Sequence, residues 1–112
     1  MIKDKSILKS REIQDRALLK TAKRVLKVES DSVAALAKRL GADFTKTVHA
    51  LGDGKGRLII TGMGKSGLIG QKIAATMSSV GLPTIYMHAA EAIHGDLGLI
   101  SQNDTILALS NS

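Results

Sequence analysis

Two short runs in this chain carry the residues best suited to hold an anion. The first, Gly62-Met63-Gly64-Lys65-Ser66-Gly67, sets a lysine and a serine among three glycines. Glycines let backbone N–H groups approach a negative ligand closely, and a helix opening near Ser66 turns its positive end towards it. Lys65 adds a full charge and Ser66 a hydroxyl donor. The second run, Ser110-Asn111-Ser112, offers three small polar residues directly after an apolar stretch. Alone it reads as an ordinary turn; paired with the first run at a neighbouring strand end, it becomes a second grip on the same anion. Between the two lie His88, Glu91 and His94. Histidine titrates near neutrality and can move protons, although a histidine near a core more often serves as a hydrogen-bonding group. As a metal site, His88 with Glu91 or His94 supplies few ligands.

Two larger ligands compete for the glycine run. A triphosphate loop needs G-x-x-x-x-G-K-[ST], and the position five residues before Gly64 is Ile59, inside an apolar stretch. A dinucleotide loop needs G-x-G-x-x-G, which Gly62, Gly64 and Gly67 satisfy, and an acid at the end of the following strand. That strand ends at Met87-His88, and Glu91 comes later. The run therefore suits a monophosphate or sugar phosphate better than a nucleotide. The plainer alternative is that the glycines only permit tight strand–helix packing, with Lys65 solvated.

The surrounding elements must place these runs together. Residues 11–40 read as one long helix, with Leu18, Ala22, Val25, Glu29, Val33, Leu36 and Leu40 on a single stripe that continues through Ser30-Asp31-Ser32. Gly41 suits a helix end and Asp43 an N-cap for a second helix to about Leu51. Then the period changes. Leu58–Thr61, Thr84–Met87 and Thr105–Leu109 read as buried strands, with a helix over residues 66–80 stopped by Gly81-Leu82-Pro83. This order predicts an α/β fold with a doubly wound parallel sheet, covered by the two leading helices. Residues 1–56 form the helical segment and residues 57–112 the first part of the α/β core. Such folds bind ligands outside the carboxyl ends of their strands, and the chain reaches Ser112 at such a place. The sequence thus reads as the first part of a longer protein.

Composition narrows the partners. The 112 residues carry 16 Lys/Arg against 10 Asp/Glu, a net charge of +6. Fourteen of those basic residues fall in residues 1–57, away from the glycine run. Phe44 and Tyr86 are the only aromatic residues, too few for base stacking, and no helix-turn-helix or zinc-finger pattern appears. The basic excess reads as a solvated helix face with a general attraction for anions, not as a nucleic-acid surface. No apolar run approaches the ~20 residues of a membrane span, and the first residues lack a secretory h-region. With no cysteine, thiolate and disulfide chemistry is excluded; the cytoplasm is the expected location.

The stretch from Thr61 to Ser112, with Gly-Met-Gly-Lys-Ser-Gly, Glu-Ala-Ile-His-Gly-Asp-Leu-Gly and Ser-Asn-Ser at these separations, closely resembles the sugar isomerase (SIS) domain of D-arabinose-5-phosphate isomerases. The likeness begins near Val25. It implies a flavodoxin-like three-layer αβα fold with a five-stranded parallel sheet, of which this chain holds three strands. It also implies interconversion of D-ribulose 5-phosphate and D-arabinose 5-phosphate, which leads to the lipopolysaccharide sugar Kdo, in a cytoplasmic homotetramer without a required cofactor. A non-catalytic SIS module that senses a sugar phosphate is the alternative. Against it, the leading helical stripe does not read as the DNA-binding motif of such regulators.

Residue by residue, the resemblance makes Lys65 a catalytically relevant lysine and His94 a substrate-contacting histidine of catalytic importance. It makes Gly81 and Leu82 a backbone contact to substrate. Gly64, Ser66, Ser110, Asn111 and Ser112 correspond to phosphate-holding positions. His88 corresponds to a position that can bind a divalent metal, which catalysis does not require. Aldose–ketose isomerisation passes through an enediol and needs a base, an acid and a fixed charge for the oxyanion. Lys65 could supply the charge and His94 the proton movement. The base is expected beyond Ser112, so residues 1–112 alone are expected to be inactive.

Overall fold

The computed structural model describes residues 2–111, and Ser112 lies outside them. Helix α1 runs over Ile2–Ala37, a stretch with neither glycine nor proline to interrupt it. Ser30-Asp31-Ser32 does not break it, because the helix absorbs the polar side chains. Lys27 Nζ pairs with Asp31 one turn on at 2.6 Å, and the Ser32 hydroxyl donates to the Val28 carbonyl at 2.7 Å. The helix thus starts earlier than the periodicity suggests and stops three residues sooner, in a turn where the Arg39 N–H donates to the Leu36 carbonyl. From Ile7 onward its large apolar side chains, Leu18 and Leu36 among them, are exposed. The chain divides into two compact units at Gly41.

The second unit opens with α2, Ala42–Gly52. Asp43 sits inside its first turn rather than at the cap, where its charge still faces the positive helix end. Three strands follow: β1 Leu58–Gly62, β2 Thr84–His88 and β3 Thr105–Leu109. All pair in parallel in the order β2-β1-β3, with Leu58 level with both Thr84 and Thr105. Helix α3, Gly64–Ser79, returns the chain from β1 to β2. The short helix α4, Ala89–Ile93, and a 3-10 turn, Asp96–Leu99, lead to β3.

The central strand explains why Leu58-Ile59-Ile60 is apolar without alternation: both of its faces are buried. Leu58 and Ile60 meet Ala74 of α3 on one face, with Leu51, Ile73, Met77, Tyr86 and Leu107 packed around them. On the other face Ile59 meets Met87 and Ala92 of α4. Leu58, Ile59 and Ile60 are at most 2 % exposed. Because β1 has neighbours on either side, the strand order reverses at it. Its carboxyl end and that of β3 form the crevice where such sheets bind ligands.

At the opposite end of the sheet, the strands are tied by charge. Asp104 accepts the Arg57 backbone N–H at 2.8 Å and an Arg57 guanidinium nitrogen at 2.8 Å. It also accepts the Ser101 N–H at 2.8 Å. Arg57 further donates to the Leu99 carbonyl at 2.6 Å. The guanidinium first, and the backbone donors after it, hold the Asp104 carboxyl well below the usual carboxylate range.

Candidate functional site

A cleft of about 790 Å³ opens at the carboxyl ends of β1 and β3. It is lined by the β1–α3 turn, from Thr61 through Ser66, by Ala108 to Asn111, and by Ala89 at the start of α4. The volume falls in the range of small-molecule sites. The turn has its shape because Gly64 adopts a φ of +56°, in the left-handed region. Helix α3 therefore starts at once after the strand, with Met63 extended at its cap position and offering no side-chain hydrogen bond.

The amino end of α3 is consequently bare. The Gly67 N–H reaches the Met63 carbonyl at 3.2 Å, whereas those of Gly64, Lys65 and Ser66 have no partner among the described residues. No acidic residue occupies this first turn. Lys65 is exposed at its rim and Ser66 is half-buried. Donors, helix dipole and ammonium group all favour an anion here.

The structure thus brings Gly64, Lys65, Ser66, Ser110 and Asn111 around one cleft, while Ser112 falls outside the described residues. The other expected site residues stand elsewhere. His88 ends β2 beside Gly62 and is half-buried. His94 is exposed at the carboxyl end of α4, its N–H donating to the Glu91 carbonyl at 3.0 Å. Gly81 and Leu82 precede β2, at the end of the sheet away from the cleft. Sequence pattern does not single out Thr61, yet it lines the cleft and its Oγ1 is buried without a hydrogen-bond partner among the described residues. Its only signal in the sequence is a hydroxyl closing a run of apolar strand positions.

The glycines divide their tasks. A Cβ on Gly67 would stand 2.6 Å from the Tyr86 hydroxyl and 3.1 Å from the Gly62 carbonyl oxygen. That glycine lets α3 lie against the strands. Gly64 has open space where a Cβ would be and is required for its backbone angle instead. Packing and ligand access are therefore both built into the one motif.

The SIS domain family matches residues 53–112, which take in the sheet and the residues lining the cleft. The chain belongs to the SIS domain family. Within it, the chain is 48% identical over 99 residues to the arabinose 5-phosphate isomerase KdsD of Pseudomonas aeruginosa, covering 88% of this chain and 30% of that protein. It is 44% identical over 96 residues to the arabinose 5-phosphate isomerase GutQ of Shigella flexneri, covering 86% and 30%. Among solved structures, the E. coli CFT073 c3406 protein in complex with arabinose 5-phosphate superposes with a TM-score of 0.61 at 40% identity, covering 62% of this chain and 37% of that one. The chain spans about 30% of the length of the curated relatives it matches. No described helix is long and apolar enough to cross a membrane.

Proposed function

We propose that the protein carrying this SIS domain interconverts D-ribulose 5-phosphate and D-arabinose 5-phosphate. The observation that carries the proposal is the placement of Lys65 on the bare amino end of α3, in one cleft with Ser110 and Asn111. Its support is the likeness to proteins named arabinose 5-phosphate isomerase and to one solved in complex with arabinose 5-phosphate. The phosphate sits against the Gly64–Ser66 donors, and its binding energy orients the sugar. Removing a proton from the carbon beside the carbonyl gives an enediolate, whose developing charge a lysine can stabilise.

In this reading Lys65 holds either the phosphate or the enediolate oxygen, and His94 exchanges protons with the sugar oxygens. Gly81 and Leu82, at the far end of the sheet, reach the same ligand only from a second copy of the chain, which fits a homo-oligomer and the tetramer that the resemblance implies. The reaction needs no organic cofactor, and its product would enter Kdo synthesis in the cytoplasm.

The test is an isomerase assay of the protein with D-ribulose 5-phosphate, comparing the parent with Lys65→Ala and His94→Ala. Loss of one transition-state charge contact lowers kcat by about 10²–10³-fold. Full turnover by both variants would remove the proposed roles, and binding of sugar phosphate without turnover by the parent would make the protein a sensor.

A further inference from the structure

The resemblance associates His88 with a divalent metal, but the local geometry gives this side chain another task. His88 stands at the cap position of α4 with φ −65° and ψ 131°, and its Nδ1 accepts the Ala90 N–H at 3.1 Å. A neutral imidazole has one N–H and one in-plane lone pair. An amide donor aimed at Nδ1 places the lone pair there and the proton on Nε2. Coordination through Nε2 would move that proton to Nδ1, against the Ala90 N–H. Coordination through Nδ1 would displace the amide outright. Among the described residues, no group of three or more His, Asp or Glu stands together to hold an ion. The donor set does not fit a resident metal.

What the imidazole does instead follows from α4. Five residues, Ala89–Ile93, are too few to hold a helix by their own hydrogen bonds. Among the contacts that hold it are Ala92, buried against Ile59 and Met87, and the His88 cap. Ala89, the first residue of the helix, lines the cleft, and His94 closes its other end. We propose that His88 is a positioning residue, whose imidazole caps α4 and so holds the Ala89 wall of the cleft, and that it is not a metal ligand.

The test compares the parent protein with His88→Asn and His88→Ala, because an asparagine oxygen can accept the same amide but is a poor zinc ligand. Amide hydrogen exchange at Ala90 is expected to quicken about fivefold in His88→Ala and to stay within about twofold of the parent in His88→Asn. In the parent, ¹⁵N spectra of the imidazole are expected to show a bare Nδ1 and a protonated Nε2, unmoved by zinc chloride. Since the tautomer is read on the unsubstituted protein, the test holds even where His88→Ala fails to fold. A proton found on Nδ1, a zinc-dependent shift of these resonances, or Ala90 exchange in His88→Asn as fast as in His88→Ala would overturn the proposal.

Discussion

The Tyr86 hydroxyl donates a hydrogen bond to the Gly62 carbonyl oxygen at 2.8 Å, linking β2 to the residue where β1 gives way to the glycine turn. The hydroxyl therefore holds one side of the cleft from behind. Replacing it by hydrogen in Tyr86→Phe leaves the ring packed against Gly70 and the core but strips the carbonyl of its donor. The expected loss is about 1 kcal/mol of folding free energy, read from urea denaturation. A denaturation midpoint equal to the parent's would mean that water replaces the hydroxyl at Gly62.

The same hydroxyl explains why residue 67 is glycine. A Cβ there would stand 2.6 Å from the Tyr86 oxygen, so Gly67→Ala is expected to cost about 1–3 kcal/mol, as overpacking generally does. In a Tyr86→Phe background the clash loses its hardest atom, and the cost of the alanine should fall by at least about 0.5 kcal/mol. Complete relief is not expected, because the Gly62 oxygen remains 3.1 Å away. Strictly additive losses in the double variant would show that the Tyr86 oxygen is not what excludes the methyl.

Gly64 makes a different demand. Nothing lies within 4 Å of a Cβ placed on it, yet its φ is +56°. Gly64→Ala therefore meets only the backbone cost of a left-handed residue, roughly 1–2 kcal/mol. Gly64→Asn should lose less, since asparagine tolerates this region. The order glycine, asparagine, alanine in thermal midpoint checks the assignment. Asparagine as damaging as alanine would point to a steric demand instead.

Much of this was legible in the sequence because each signal was local. The unalternating run Leu58-Ile59-Ile60 announces a strand buried on both faces, and glycines between that run and a helix announce a turn at its carboxyl end. Ser110 and Asn111 could be paired with that turn because parallel strands end on the same side of a sheet. What escaped was set by three-dimensional neighbours. The start of α1 at Ile2 has no periodic marker, since its first turns carry mixed charges. The separation of His88 from the cleft depends on the order β2-β1-β3, and its capping role depends on a ring nitrogen meeting an amide two residues on. Spacing alone puts His88, Glu91 and His94 in one family of candidates; the fold makes one a cap and leaves the last exposed.

Lys65 should be felt even without turnover. Its ammonium group and the free N–H groups of the α3 turn address the same anion, so Lys65→Ala is expected to weaken inorganic phosphate binding by about tenfold or more at low salt. Screening shrinks the difference as ionic strength rises, while the backbone donors remain in both proteins. Calorimetric titration at two salt concentrations measures both effects. Equal phosphate affinity in parent and variant would place the anion away from Lys65.

Acid should loosen the end of the sheet that lies away from the cleft. The Asp104 side chain is only 1% exposed and the Arg57 side chain 39% exposed, and the two meet at 2.8 Å. Arg57, with the Ser101 N–H behind it, lowers the folded-state pKa of Asp104, whereas an unfolded aspartate titrates near ~3.9. A depressed folded pKa means that the unfolded chain takes up the proton first. The stabilisation is complete above that unfolded value and is lost as pH falls below it towards the folded one. Asp104→Asn removes the charge and keeps the shape, so it should be less stable than the parent at neutral pH. The two denaturation midpoints should then converge as the pH is lowered below about 4. A gap that stays constant from neutral pH down to pH ~2.5 would assign the effect to packing around residue 104 and not to the ion pair.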